Sequence, residues 1–230
     1  MPNPENANYP IRTWNFAETA LVGLIAYVIY GLTFGLASYN TVSASPAVQY
    51  QAYGAALILA GLLPIAVLWI VIRLAHRDFG EYLALNWPSS DEALRAVLIT
   101  TSVMVIQVVA FSVVGPTETS PNPYLRAGWG LLTFLIAGCI VVPVMEEFVV
   151  RGFVFRGWSH SFLGPAGAIL LSSILWALVH TQYNWFGQFW IFVTGLALGY
   201  IRWRSNSIWL TVMLHSALNT IVFFGMRLQP

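Results

Sequence analysis

Four stretches of this chain contain no aspartate, glutamate, lysine or arginine: Thr19 to Ile72, Ala96 to Thr117, Gly157 to Ile201 and Ser205 to Met226. A helix that crosses the hydrocarbon core needs about 20 apolar residues, so these windows have room for several. Charged residues make up 8% of the sequence and hydrophobic ones 58%, against about a quarter charged in a soluble domain. The runs are too long and unbroken for the short alternating strands of a membrane barrel. The expected fold class is all-α: a polytopic membrane helical bundle with about seven or eight transmembrane helices and an interfacial amphipathic segment.

Turn chemistry divides the runs. After a polar tail to about Thr13, helices are expected at about 17–36, 52–74, 93–114, 129–160, 165–180, 187–201 and 207–226. The breaks are "SYNTVSASP", "GPTETSPNP", "LGPAG" and "RSNS". Pro143 is the residue that could split the long fourth segment. The stretch "RDFGEYLALNWPSSDEALR" mixes charges with Phe79, Tyr82, Leu83, Leu85 and Trp87, as a segment lying along the interface does. Tryptophans near span ends (Trp69, Trp87, Trp129, Trp185, Trp203 and Trp209) fit an aromatic belt. The run from Thr19 to Leu36 exceeds a signal-peptide core of about 7–15 residues, so a retained helix is expected. The reading is one structural domain, with N-terminal membrane helices and the interfacial segment in 1–128 and a helical core in 129–230.

A net charge of +1 gives no footprint for nucleic acid; membrane lipids are the expected surroundings of this multi-pass protein. With seven spans, Arg12, Arg73, Arg77, Arg95, Arg156, Arg202 and Arg204 fall on one side, and Arg126 and Arg227 on the other. The positive-inside rule then puts the N-terminus in the cytoplasm. Cys139 is the single cysteine and has no partner in the chain.

Against this background, "VMEEFVVRG" (144–152) is anomalous. An ionisable side chain inside a membrane costs roughly 2.5–3.5 kcal/mol on insertion scales, so it marks a functional candidate that faces the protein interior. Glu147 and Arg151 are four apart on one helix face and can pair. Glu146 points about 100° away and is free to meet another helix. The turn "LGPAG" lies midway between the two glutamates and His180. A hairpin about it brings them level, roughly 25 Å from the turn at ~1.5 Å per residue. Trp176, four before His180, is placed to fix its ring. On the last span His215 and Asn219 share a face, at depths of ~12 Å and ~18 Å from "RSNS", which is shallower than the level of Glu146.

Glu146, His180, His215 and Asn219 can together hold and activate a water. Glu146 is the expected general base, and His180 orients the water. His215 and Asn219 donate hydrogen bonds to a developing oxyanion. Zinc or another divalent metal could be held by Glu146, His180 and His215, since zinc takes His and carboxylate ligands; a metal-free route uses the same side chains. The reaction class is hydrolysis of an acyl bond, most naturally a peptide.

"EEFVVR" fits an EExxxR motif, "HSALN" an HxxxN/D motif, and "WALVH" an FxxxH motif with Trp176 in place of Phe. In order and spacing these resemble the CPBP family of intramembrane proteases, over about Trp129 to Met226. That family includes type II CAAX prenyl endopeptidases and bacteriocin-processing or self-immunity proteins. The resemblance implies Glu146 and His180 at the catalytic water, and His215 with Asn219 at the oxyanion. It implies a membrane-associated or CAAX-like peptide or protein substrate, which lipidation could anchor. The alternative is a non-catalytic self-immunity or membrane interaction protein on the same fold.

Overall fold

The computed structural model describes residues 14–39, 46–114 and 128–227. Among these, all regular structure is helical. The polar tail, most of the "SYNTVSASP" and "GPTETSPNP" breaks, and Arg12 and Arg126, on which the orientation reading partly rests, lie outside the described residues.

The helices are α1 (Phe16–Tyr39), α2 (Pro46–Leu74), α3 (Phe79–Leu83), α4 (Ser90–Val114) and α5 (Gly128–Ile136). A rod of mixed pitch continues from α5 through π1 (Ala137–Val141), α6 (Val142–Glu146), π2 (Glu147–Val154) and α7 (Phe155–Ser159). Then come α8 (Gly164–Leu178), α9 (Trp185–Ser205) and α10 (Ile208–Arg227). Every helix expected from the charge gaps is present. Among the described residues, five stretches are long and apolar enough to cross a membrane: Phe16–Tyr39, Gln51–Leu74, Ser90–Val114, Leu132–Ser159 and Ile208–Gly225. At 15 residues α8 is shorter than these.

Local chemistry sets the helix ends. Asn15 and Glu18 cap one another at the start of α1: Asn15 Oδ1 accepts the Glu18 N–H at 2.9 Å, and Glu18 Oε2 the Asn15 N–H at 3.2 Å. Ser89 and Glu92 form the same reciprocal box ahead of α4, at 2.8 and 3.3 Å. Asn184 caps α9 by accepting the Gly187 N–H at 2.9 Å. Asn206 ends α9 in the left-handed region, at φ 46°.

The bundle is apolar on its outer face and encloses a polar cluster within an otherwise apolar core. Leu24, Leu32 and Leu36 of α1, and Leu98, Val108 and Val113 of α4, are exposed, a surface suited to acyl chains rather than water. Glu147, Arg151, Ser173, Thr211 and His215 are buried. Small residues let the helices close in. A Cβ on Gly195 would come 2.9 Å from the Ser173 Cβ, and one on Gly199 2.9 Å from Ile169.

The interfacial segment differs from expectation in one respect. Trp87 is exposed, but Tyr82, Leu83 and Ala84 are buried in protein. Leu83 packs where a Cβ on Gly152 would sit, 2.9 Å from its Cδ2, and Arg202 Nη2 lies 3.5 Å from the Leu83 carbonyl. Asp78 caps α3, accepting the Glu81 N–H at 2.8 Å. The segment is tucked under the bundle because Gly152 leaves room for it there.

Candidate active site

The rod from Ala137 to Ser159 carries two departures from α pitch, and both serve the polar centre. In π1 the Val142 N–H bonds the Ala137 carbonyl, five residues back. In that pattern the next donor, which would serve Gly138, falls on Pro143, which has no N–H. Asn219 Nδ2 of α10 donates to the Gly138 carbonyl instead, at 2.9 Å. Asn219 was expected to face an oxyanion; here one of its amide hydrogens ties α10 to the proline break. π-Turns are frequent at functional sites, and π2 begins at Glu147.

Glu147 is the hub of the buried cluster, with 0% of its surface exposed. The expected pair with Arg151 is present: Arg151 Nη1 donates to Glu147 Oε1 at 3.0 Å. The same oxygen lies 2.9 Å from His215 Nδ1. A carboxylate only accepts, so this ring nitrogen carries its hydrogen. Arg151 also reaches the Gly195 carbonyl, with Nη2 at 3.5 Å. Its guanidinium carbon stands 4.2 Å above the Trp176 ring. One arginine therefore joins π2, α8 and α9.

Glu146 points elsewhere, as its position on the helix predicts. Trp176 Nε1 donates to Glu146 Oε2 at 3.0 Å. His215 Nε2 is 3.7 Å from the same oxygen, beyond hydrogen-bond reach. His215 is thus held between the two neighbouring glutamates. Its ring meets Trp176 edge-on, with centroids 5.3 Å apart.

His180 lies just past the end of α8 rather than within it. Its Nδ1 is 2.7 Å from the Trp176 carbonyl, so Nδ1 is again the donor and Nε2 of the neutral ring is an acceptor. The Trp176 ring touches it edge-on at 5.0 Å. Trp176 was expected to fix His180, and it does so through its carbonyl and ring. Its hydrogen bond to Glu146 was not foreseen. Glu146 and His180 line one open cleft of about 360 Å³, together with Tyr27, Val28, Tyr30, Val179 and Gln182.

The depth mismatch of His215 has a structural cause. The turn between α9 and α10 is pinned to the tucked segment: the Ile208 N–H donates to the Ala84 carbonyl at 2.9 Å, and Asn86 Nδ2 to the Asn206 carbonyl at 2.9 Å. Leu83 in turn sits against Gly152, part-way up the rod. The turn is recessed into the bundle, so a residue only one or two turns into α10 reaches the glutamates.

Among the described residues, no three His, Cys, Asp or Glu side chains form a group that could hold a metal ion. His215 Nδ1 is committed to Glu147, and Glu146 Oε2 to the Trp176 indole. In this arrangement Glu146, His180 and His215 are not gathered around one point.

Residues 128–221 match the family model described as type II CAAX prenyl endopeptidase Rce1-like. Over 80 residues the chain is 29% identical to the UPF0177 protein YxdF of Lactococcus lactis subsp. lactis (strain IL1403), a stretch that is 35% of this chain and 42% of that protein. The match therefore spans less than half of that curated relative. No solved structure matches the chain. Glu146, Glu147, Arg151, Trp176, His180, His215 and Asn219 all fall within the residues that are similar to the Rce1-like family of type II CAAX prenyl endopeptidases.

Proposed function

We propose that the protein is an intramembrane endopeptidase that hydrolyses a peptide bond of a membrane-associated substrate without a bound metal. The observation that carries this reading is the shared cleft of Glu146 and His180. Both offer acceptors there: a carboxylate oxygen and, with Nδ1–H held by the Trp176 carbonyl, an imidazole Nε2. A water between them donates one hydrogen to each and keeps a lone pair for attack. As its oxygen bonds to the scissile carbonyl carbon, Glu146 takes the proton, and the carbonyl electrons move onto oxygen. When the C–N bond breaks, Glu146 returns that proton to the leaving nitrogen, giving a carboxylic acid and an amine.

The other residues support this pair. Trp176 aims the Glu146 carboxylate, while Arg151 and Glu147 offset each other's charge. His215 is held by Glu147 through its ring N–H, and Asn219, which keeps a second amide hydrogen, serves the oxyanion side. The exposed rim residues Val28 and Val179 favour a substrate with an apolar or lipid group beside the scissile bond, of which a CAAX-like sequence is one kind.

The test is hydrolysis in liposomes. Glu146→Gln and His180→Ala should each remove cleavage of a quenched farnesylated CAAX peptide while the proteins remain folded. Full activity in both variants would refute the assignment. A cellular phenotype that persists in both would support the non-catalytic immunity or interaction role instead.

A further inference from the structure

Tyr27 lies in the middle of α1, outside the residues matched to the family. Tyr27 is one of the residues that line the cleft with Glu146 and His180. Glu146, Arg151 and Glu147 all act on it electrostatically, so the phenol stands in the field of the polar cluster. Yet its hydroxyl oxygen is buried and has no hydrogen-bond partner among the described residues. Buried tyrosine hydroxyls usually find a partner, because leaving one unmade is costly. A phenylalanine would pack equally well here without that cost. The hydroxyl therefore has no reason to be present in the resting protein.

Apart from the second amide hydrogen of Asn219, the other donors described at the reaction centre are engaged. Asn219 Nδ2 is drawn to the Gly138 carbonyl and His215 Nδ1 to Glu147, each at 2.9 Å. The Trp176 indole N–H is used on Glu146. A phenol keeps its proton at neutral pH and can donate one hydrogen bond. The geometry points to Tyr27 as a further catalytic residue of the hydrolysis proposed above, on which this inference rests. Its O–H donates to the scissile carbonyl oxygen as water attacks and that oxygen gains the electron pair. Tyr27 transfers no proton: the hydrogen bond strengthens in the tetrahedral intermediate and relaxes when the C–N bond breaks. Helix α1 thereby contributes to chemistry whose other residues lie between 146 and 219.

The experiment compares wild type, Tyr27→Phe and Glu146→Gln in liposomes with the quenched farnesylated CAAX peptide. Tyr27→Phe should lower kcat about 100-fold, the range for loss of one oxyanion donor, with KM within about twofold. Its melting temperature should equal or exceed that of wild type, since the substitution removes an orphaned hydroxyl. A packing role would instead lower the melting temperature. A phosphinate peptide, which mimics the tetrahedral intermediate, should bind Tyr27→Phe about 100-fold more weakly. The uncleaved probe should bind Glu146→Gln and the double variant equally.

A Tyr27→Phe kcat within threefold of wild type, or a loss of rate that comes with a lowered melting temperature, overturns the inference. If Glu146→Gln is inactive while Tyr27→Phe cleaves normally, only the role of Tyr27 falls. If Glu146→Gln cleaves like wild type, or wild type leaves the probe intact, the hydrolysis reading fails and this inference with it.

Discussion

Asn219 Nδ2 lies 2.9 Å from the Gly138 carbonyl, the acceptor whose partner in the π1 pattern would be the missing N–H of Pro143. A residue that reads in the sequence as half of a catalytic pair is thus also a strut across a helix break. Asn219→Ala should cost about 1 kcal/mol by removing the donor to a part-buried carbonyl. Pro143→Ala supplies an N–H at that position, so the cost of Asn219→Ala should shrink in its background. A double-mutant cycle in detergent measures the coupling; strictly additive losses would show that the two residues do not share the carbonyl.

Trp176 donates to the carboxylate that activates water in the proposed reaction, and it also stacks on Arg151. Trp176→Phe keeps an aromatic ring and removes the N–H. The expected result is a kcat about tenfold lower with a nearly unchanged melting temperature, because loss of aim at a reacting group is felt more in rate than in folding. Steady-state kinetics beside thermal unfolding separates the two. An unchanged kcat would mean that the indole N–H is dispensable.

Arg151 is 1% exposed and Glu147 0%. Removing one partner of a buried pair leaves the other charge uncompensated, at a cost of about 3–5 kcal/mol. Arg151→Ala should therefore lower stability by about that amount, seen as a shifted unfolding midpoint, and lower the yield of folded protein. A loss below about 1 kcal/mol would contradict the pairing.

Gly195 faces Ser173 and Trp176 across the α8–α9 contact, and a Cβ there would come 2.9 Å from Ser173 Cβ and 3.2 Å from a Trp176 ring carbon. Gly195→Ala should destabilise by about 1–3 kcal/mol through overpacking and reduce activity by shifting Trp176. Gly31 on α1 has nothing within 4 Å of such a Cβ, so Gly31→Ala should be neutral or stabilising. Equal effects at the two positions would refute the packing argument.

The described donor set does not gather three metal ligands. Treatment with EDTA or phenanthroline should leave hydrolysis within about twofold of the untreated rate. A loss of activity restored by added zinc would reverse that expectation and assign Glu146, His180 and His215 to a rearranged metal site.

The helices were legible because charge-free runs and turn residues are one-dimensional signals. Level matching across the "LGPAG" turn was enough to bring Glu146 to the α8 side, where Trp176 meets it. Four-residue spacing sufficed for Glu147 with Arg151. What could not be read depends on pitch and on other segments. A π-turn has no composition of its own, so the Gly138 carbonyl and its link to Asn219 were hidden. The indole donor of Trp176 has no counterpart in the FxxxH motif, where a Phe has no N–H, so its bond to Glu146 was hidden. The depth of His215 depends on Ala84 and Asn86, more than 100 residues earlier, holding the last turn inside the bundle. Tyr27 gave no signal because tyrosines are common in and around membrane helices.

The brevity of α8 has a consequence for supply. Its 15 residues span about 22 Å at 1.5 Å per residue, while the hydrocarbon layer is about 30 Å thick. The bilayer must dimple around this helix or its unwound end must sit below the headgroups. His180, Gln182 and Asn184 follow at that end, and Gln182 and Asn184 are exposed there. The proposed hydrolysis needs water delivered within the lipid layer, and a helix that stops early leaves polar groups at the depth where that delivery is required.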